Sequence, residues 1–169
     1  MRTLRLIAAL LVLPIAAAPA AATVLVMQDV ETLGGASEFV VHARVIDIAG
    51  RWNRTRTMIE TDVTLDVIED LRGTTRRHPV VVVPGGRVDG YRQVIDGAPE
   101  FRINEEVVVF LRRDRSGRLA VSGFSQGLSR VKRDEGNNAL LVGGSAAGLR
   151  LEELERRLAK IAPTQRRRP

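Results

Sequence analysis

The sequence predicts a mainly β domain followed by a C-terminal amphipathic helix, and three stretches carry that expectation. From Thr57 to Leu71 the residues alternate. Ile59, Thr61, Val63, Leu65 and Val67 fall on one side, and Glu60, Asp62, Thr64 and Asp66 on the other. This period of two marks a long, half-buried antiparallel strand. Val107 to Leu111 is wholly apolar, as expected for a central strand. Leu151, Leu154, Leu158 and Ile161 recur at spacings of 3, 4 and 3, which gives one apolar stripe along a helix.

The remaining elements follow in order. Met27 to Ser37 has room for a short helical turn. Phe39 to Ile48 reads as a strand with Phe39, Val41, Ala43 and Val45 on one face. Val40 and Ile46 interrupt the alternation, so cover on both faces is expected. Gly50 to Arg56 reads as a polar connection. After the long strand, Gly73 and Thr74-Thr75 make a break, Pro79 to Val83 a short strand, and Pro84-Gly85-Gly86 another break. Asp89-Gly90 and Asp96-Gly97 are turn dipeptides that bracket a short strand from Tyr91 to Ile95. Ser116-Gly117 turns the chain back, so Leu119 to Phe124 forms a hairpin with the apolar strand. Leu128 to Val131 adds a last short strand. These readings divide the chain into a signal peptide (1–22), a β-barrel domain (23–135), a glycine-rich linker (136–150), the helix (151–162) and a basic disordered tail (163–169).

Composition narrows the function. The 169 residues suit one domain and are too few for a TIM barrel or a two-domain dehydrogenase. The absence of cysteine removes disulfides, thiolate zinc sites and thiol catalysis together. Arg2 and Arg5 precede an apolar run from Leu6 to Leu13, and Ala18-Pro19-Ala20 and Ala20-Ala21-Ala22 fit a small-x-small cleavage rule. The expectation is therefore a secreted or periplasmic protein with no membrane span after cleavage. Removing residues 1–22 lowers the net charge from +6 to +4, and setting aside Arg166, Arg167 and Arg168 lowers it to +1. The sequence pI near 11.0 thus reflects arginine usage and a tail. A near-neutral body with 4% aromatic residues argues against a nucleic-acid partner.

Candidate sites are few. Gly123-Phe124-Ser125-Gln126-Gly127 has the G-x-S-x-G spacing of a nucleophile elbow, but His42 and His78 both lie upstream and no helix is expected after it. Its plainer reading is a glycine-flanked turn. Glu60, Asp62 and Asp66 line one strand face and could serve acid/base chemistry or hold a hard cation, with His42 across from them. Alternating charge on a wet strand face is the commoner origin of such a row. Gly143 to Gly148 lacks the Gly-Lys-Ser/Thr ending of a phosphate loop. Accordingly no catalytic residue, metal ligand or cofactor is assigned. Loops at one end of a barrel are where binding sits. Trp52, Arg87, Tyr91 and Phe101 are the contact residues expected there.

Ala36 to Val45 resembles the first barrel strand of netrin-like modules, the family of the tissue inhibitors of metalloproteinases. The long strand closed by Leu71-Arg72-Gly73 and the run Asn104 to Leu111 with its hairpin continue the likeness over about Met27 to Val131. The resemblance implies an OB-like five-stranded Greek-key barrel. The chain is also similar to a cysteine-free group of uncharacterised secreted bacterial proteins. They share a tryptophan loop (Trp52), an Ile-x-Thr strand (Ile59-Glu60-Thr61), a Gly-Gly loop (Gly85-Gly86) and a Gly-x-x-Gln-Gly turn (Gly123 to Gly127). The animal inhibitors act through an N-terminal cysteine that this chain lacks, so no functional residue carries over. The expected function is a secreted, non-enzymatic protein-binding module, monomeric, whose partner is a protein such as an extracytoplasmic protease. A small hydrolase or metal-dependent enzyme using Ser125 or the Glu60/Asp62/Asp66 row, and an envelope structural protein, are the alternatives.

Overall fold

The computed structural model describes residues 27–161. The signal-peptide and tail expectations lie outside them. Asp29 caps a first helix, α1 (Val30–Ala36), by accepting the Thr32 amide at 2.7 Å. Nine strands follow: β1 (Phe39–Trp52), β2 (Ile59–Arg72), β3 (Val80–Pro84), β4 (Gly86–Val88), β5 (Tyr91–Gln93), β6 (Glu106–Arg113), β7 (Leu119–Val121), β8 (Leu128–Arg133) and β9 (Ala139–Val142). A 3-10 turn (Phe124–Gly127) separates β7 from β8, and α2 (Leu151–Ala159) comes last. No helix among the described residues is long and apolar enough to cross a membrane.

The strands pair in the order β1-β2-β3-β7-β6, and β6 pairs again with β1. That ring is a closed five-stranded barrel. All its ladders are antiparallel except β3 with β7, which meet in parallel at Val81 and Leu119. One parallel contact in an otherwise antiparallel ring is the Greek-key signature of an OB-like barrel. The chain reaches it through the long excursion between β3 and β6. β8 continues along the same edge of β6 that β7 uses, pairing with Val107 to Val109. The last barrel strand is therefore one strand broken by the 3-10 turn.

Closure depends on β1. Its first half pairs with both β2 and β6, whereas its second half, past Arg44, pairs with β2 alone. Register shifts at Val40/Val41, His42/Ala43 and Val45/Asp47 curl it, as bulges do at barrel corners. Its alternation separates two cores. Val41, Ala43 and Val45 fill the barrel interior with Val63, Leu65, Val107, Val109 and Leu111. Val40, Val108 and Phe110 point outward into a second core with Leu33, Leu141, Leu154 and Leu158. The apolar run Val107–Leu111 is covered on both faces, and every one of its residues is buried.

Several boundaries differ from the sequence expectation. β1 runs through Gly50 to Trp52, whose backbone pairs with Ile59 to Thr61 while Arg51, its polar side chain, is held by Glu60 and Asp62 of the neighbouring strand. The stretch 136–150 is not a linker. β9 pairs antiparallel with β8 from Arg130 to Arg133, burying Ala139 and Leu141. The loop after it packs too: the Ser145 amide donates to the Gln126 carbonyl at 2.8 Å, and Ala146 is buried.

α2 buries Leu151, Leu154 and Leu158 against α1 and the outer face of the barrel. Leu154→Ala should cost about 2–5 kcal/mol, as buried Leu→Ala truncations do. The exposed Glu152→Ala should stay within about 0.5 kcal/mol. Chemical denaturation checks the pair. Equal, small effects would mean that the stripe is not part of the core.

Candidate functional site

The end of the barrel where β1 leaves β6 carries a cleft covered by a hairpin. β4 and β5 form a hairpin whose turn is Asp89-Gly90, both with positive φ (50° and 81°). This is the two-residue turn geometry that matches strand twist. The hairpin crosses directly over β1 at Gly50. A Cβ on Gly50 would lie 1.8 Å from the Arg87 carbonyl oxygen, so only glycine admits the crossing. The Gln93 side chain accepts the Ile59 amide at 2.7 Å, the Gly85 amide donates to the Ile59 carbonyl at 2.8 Å, and the Thr61 hydroxyl donates to the Gly85 carbonyl at 2.7 Å.

Between this hairpin and the loop 94–102 lies a cleft of ≈460 Å³, within the usual range for ligand sites. Its floor is apolar, with Ile48, Val63, Val83, Ile95 and Phe101. Its rim carries Arg87, Arg92 and Arg102 against one acid, Glu100, and all four are exposed. None of the three arginines forms an ion pair among the described residues. Arg87 and Arg92 face each other across the β4–β5 ladder.

The four contact residues expected from sequence divide in two. Arg87 and Phe101 line the cleft. Trp52 and Tyr91 pack edge to face at its flank, ring centroids 5.6 Å apart. Trp52 ends a strand and is half-buried, not on a loop. Phe101 is also half-buried, because it packs on the barrel interior. No local sequence signal marks Arg92, Arg102 or Gly50 as site residues. The first two are ordinary surface residues by pattern, and the clash at Gly50 comes from a chain segment 37 positions away.

The acidic row is occupied by arginines. The Glu60 carboxylate is buried and takes Arg51 at 2.6 Å and Arg118 at 2.8 Å. Asp62 takes Arg51 at 2.7 Å, and Asp66 takes His78 at 3.1 Å. His42 stands opposite Glu69 in the ladder and bonds Glu106 on β6 at 2.8 Å. Burial pulls the Glu106 carboxyl upward, but hydrogen bonds from Arg133 and His42 outweigh it and hold the carboxyl below its ordinary value. No group of three or more His, Asp and Glu side chains among the described residues is arranged to hold a metal ion.

Ser125 is exposed beside a second hollow of ≈570 Å³, and neither histidine lines it. The G-x-S-x-G segment is the break in the last barrel strand. A Cβ on Gly127 would lie 2.0 Å from the Ser122 carbonyl oxygen. The buried Gln126 side chain accepts the Gln28 amide at 2.7 Å, tying down the chain ahead of α1. No family model matches the chain, and no curated protein matches it.

Two outcomes test this description. Gly50→Ala should cost about 1–3 kcal/mol, and should change the fluorescence of Trp52, the one tryptophan of the chain. Both effects follow from displacement of the hairpin and read out by thermal melting and emission spectra. Asp114 ties the β6–β7 turn to Arg118 at 3.0 Å. The Ser116 hydroxyl, with the Arg118 amide and guanidinium, holds its carboxyl down at about 2 against an ordinary 3.8. A depressed acid stabilises fully above its ordinary value and stops doing so as pH falls through the depressed one. Asp114→Asn should therefore be less stable than the parent at neutral pH, with the difference closing between about pH 4 and pH 2.

Proposed function

We propose that the chain is a secreted, non-enzymatic protein-binding module whose partner docks on the cleft at the end of the barrel. The observation that carries the reading is the pairing of an apolar floor with an unneutralised arginine rim beside exposed aromatic surface. Arginine and aromatic side chains are enriched where proteins bind proteins. The acidic side chains away from the cleft are built differently. Glu60, Asp62 and Glu106 are each matched by arginines at hydrogen-bond distance, which suits a structural role. Export rests on the N-terminal Arg2–Ala22 pattern. The netrin-like resemblance suggests an extracytoplasmic protease as the partner class.

Photo-crosslinking checks the site. A photoreactive residue in place of Val94, on the wall of the cleft, should capture a discrete partner from periplasm or culture supernatant. The same residue in place of Ile68, exposed on β2 away from the cleft, should not. Phe101→Asp in the Val94-labelled chain should reduce the captured product about tenfold or more, since it puts a charge on the apolar floor. Proteases of the same fraction should lose activity in proportion to the captured product. Capture from both positions alike, or from neither, would count against the cleft as the docking surface.

A further inference from the structure

We infer that the cleft takes an extended acidic segment of the partner protein, with carboxylates on Arg87, Arg92 and Arg102 and an apolar side chain on the floor between them. The inference rests on the binding-module reading and adds the chemistry of the partner.

The fold accepts a cost at the cleft. Arg87 and Arg92 are direct cross-strand partners on a two-stranded hairpin. Residues directly opposite project from the same face, and like charges so placed destabilise a sheet. A hairpin of three residues per strand has little ladder to offset that repulsion. Arg51, Arg118 and Arg133 each reach a carboxylate within 2.8 Å. Arg87 and Arg92 instead face each other across the ladder on one wall of the cleft, and Arg102 adds a third positive charge on the facing loop.

A carboxylate seated between Arg87 and Arg92 would convert that repulsion into two charge-assisted hydrogen bonds. The planar guanidinium presents paired donors that match a carboxylate. The floor selects further. Ile48, Val63 and Val83 adjoin the barrel interior and Ile95 lines the cleft beside them, all aliphatic, so the ligand must bring apolar bulk as well as charge. An extended segment supplies both, because alternate side chains point to opposite faces. β5 at the flank pairs with β4 alone, the situation in which an added strand is accommodated. A single-stranded nucleic acid would also bring anions, but it would use parallel stacking platforms. Trp52 and Tyr91 are spent on each other edge to face, which leaves Phe101 as the aromatic side chain lining the cleft.

Fluorescence anisotropy on the full chain tests the inference. The probe is a short labelled peptide alternating glutamate with leucine. Matched peptides carry lysine or serine in place of glutamate, and oligo(dT) is the nucleic-acid arm. The glutamate peptide should bind in a salt-sensitive way, and the lysine and serine peptides should not bind measurably. Arg87→Ala and Arg92→Ala should each weaken binding about 3- to 5-fold, as exposed ion pairs do. Arg115→Ala, a control on the β6–β7 turn, should leave it unchanged. Arg92→Gln should melt no lower than the parent, because it removes a repulsion. That readout needs no ligand and also shows that the variant folds. Equal binding of the serine peptide, tighter binding of oligo(dT), or binding indifferent to Arg87 and Arg92 would overturn the inference. Position-specific crosslinking at Val94 with no acidic-peptide binding would overturn it and leave the binding-module reading standing. Loss of both would remove the reading as well.

Discussion

The ladder between β1 and β6 is the constraint on which the other features depend. Six residue pairs, from Phe39 with Leu111 to Arg44 with Glu106, close the ring. Both strands are then buried on two faces, because alternate residues enter the barrel and the outer core. A strand in that position cannot bear a side chain that needs water unless a partner comes with it. His42 follows the rule: it points outward, is buried, and bonds the Glu106 carboxylate. The same ladder sets where the helices go. Phe110 and Val108 leave an apolar outer face that α1 and α2 must cover, and the apolar stripe of α2 is the matching surface.

The cleft is a consequence of where that ladder stops. Past Arg44, β1 has no β6 beside it and pairs with β2 alone. The end of the barrel is left open to whatever crosses it, and the excursion between β3 and β6 supplies the cover. The β4–β5 hairpin can lie flat there only because Gly50 presents bare backbone and because Gly86 does the same toward Thr61, where a Cβ would lie 2.0 Å from the hydroxyl oxygen. The Ile59-Glu60-Thr61 and Gly85-Gly86 motifs thus meet in one hydrogen-bonded corner. Trp52, opposite Ile59 in the β1–β2 ladder, braces the hairpin through Tyr91. These motifs fix the cover of the barrel end, and the arginines are carried on that cover.

Much of this was legible in the sequence because the physics was local. The alternation of β2, the two-sided burial of β6, the Asp89-Gly90 turn and the α2 stripe each depend on neighbours within a few residues. Other features depend on a distant segment. Glu60 reads as a solvated member of an acidic row, but Arg51 and Arg118 close over it. Residues 136–150 read as a linker from their glycines, yet Ala139 and Leu141 alternate with Leu140 and Val142 in the strand pattern. That run is four residues long, and the glycines around it mask the signal. Gly123 to Gly127 reads as a turn, and the structure gives the reason for its glycines: the chain must step aside at Ser122 to let β8 resume on the same edge of β6. At the cleft, Arg87 and Arg92 are unremarkable singly. Their meaning comes from the register of a hairpin, which the turn dipeptide between them sets.

That register separates two uses of arginine in one chain. A guanidinium locked to a buried carboxylate, as at Glu60, spends its donors inside the fold and contributes order to the turn it holds. A guanidinium opposite another, and ion-paired to no acid, contributes repulsion to the ladder it sits on. Surface arginines are tolerated singly because water solvates them. A facing pair above an apolar floor has less water to share, so its field is less screened. The fold has acids to spare near by: Asp89 sits at the tip of the same hairpin and Asp96 on the adjoining loop, and neither forms an ion pair with the rim arginines. The facing pair is therefore a feature that fold stability does not account for.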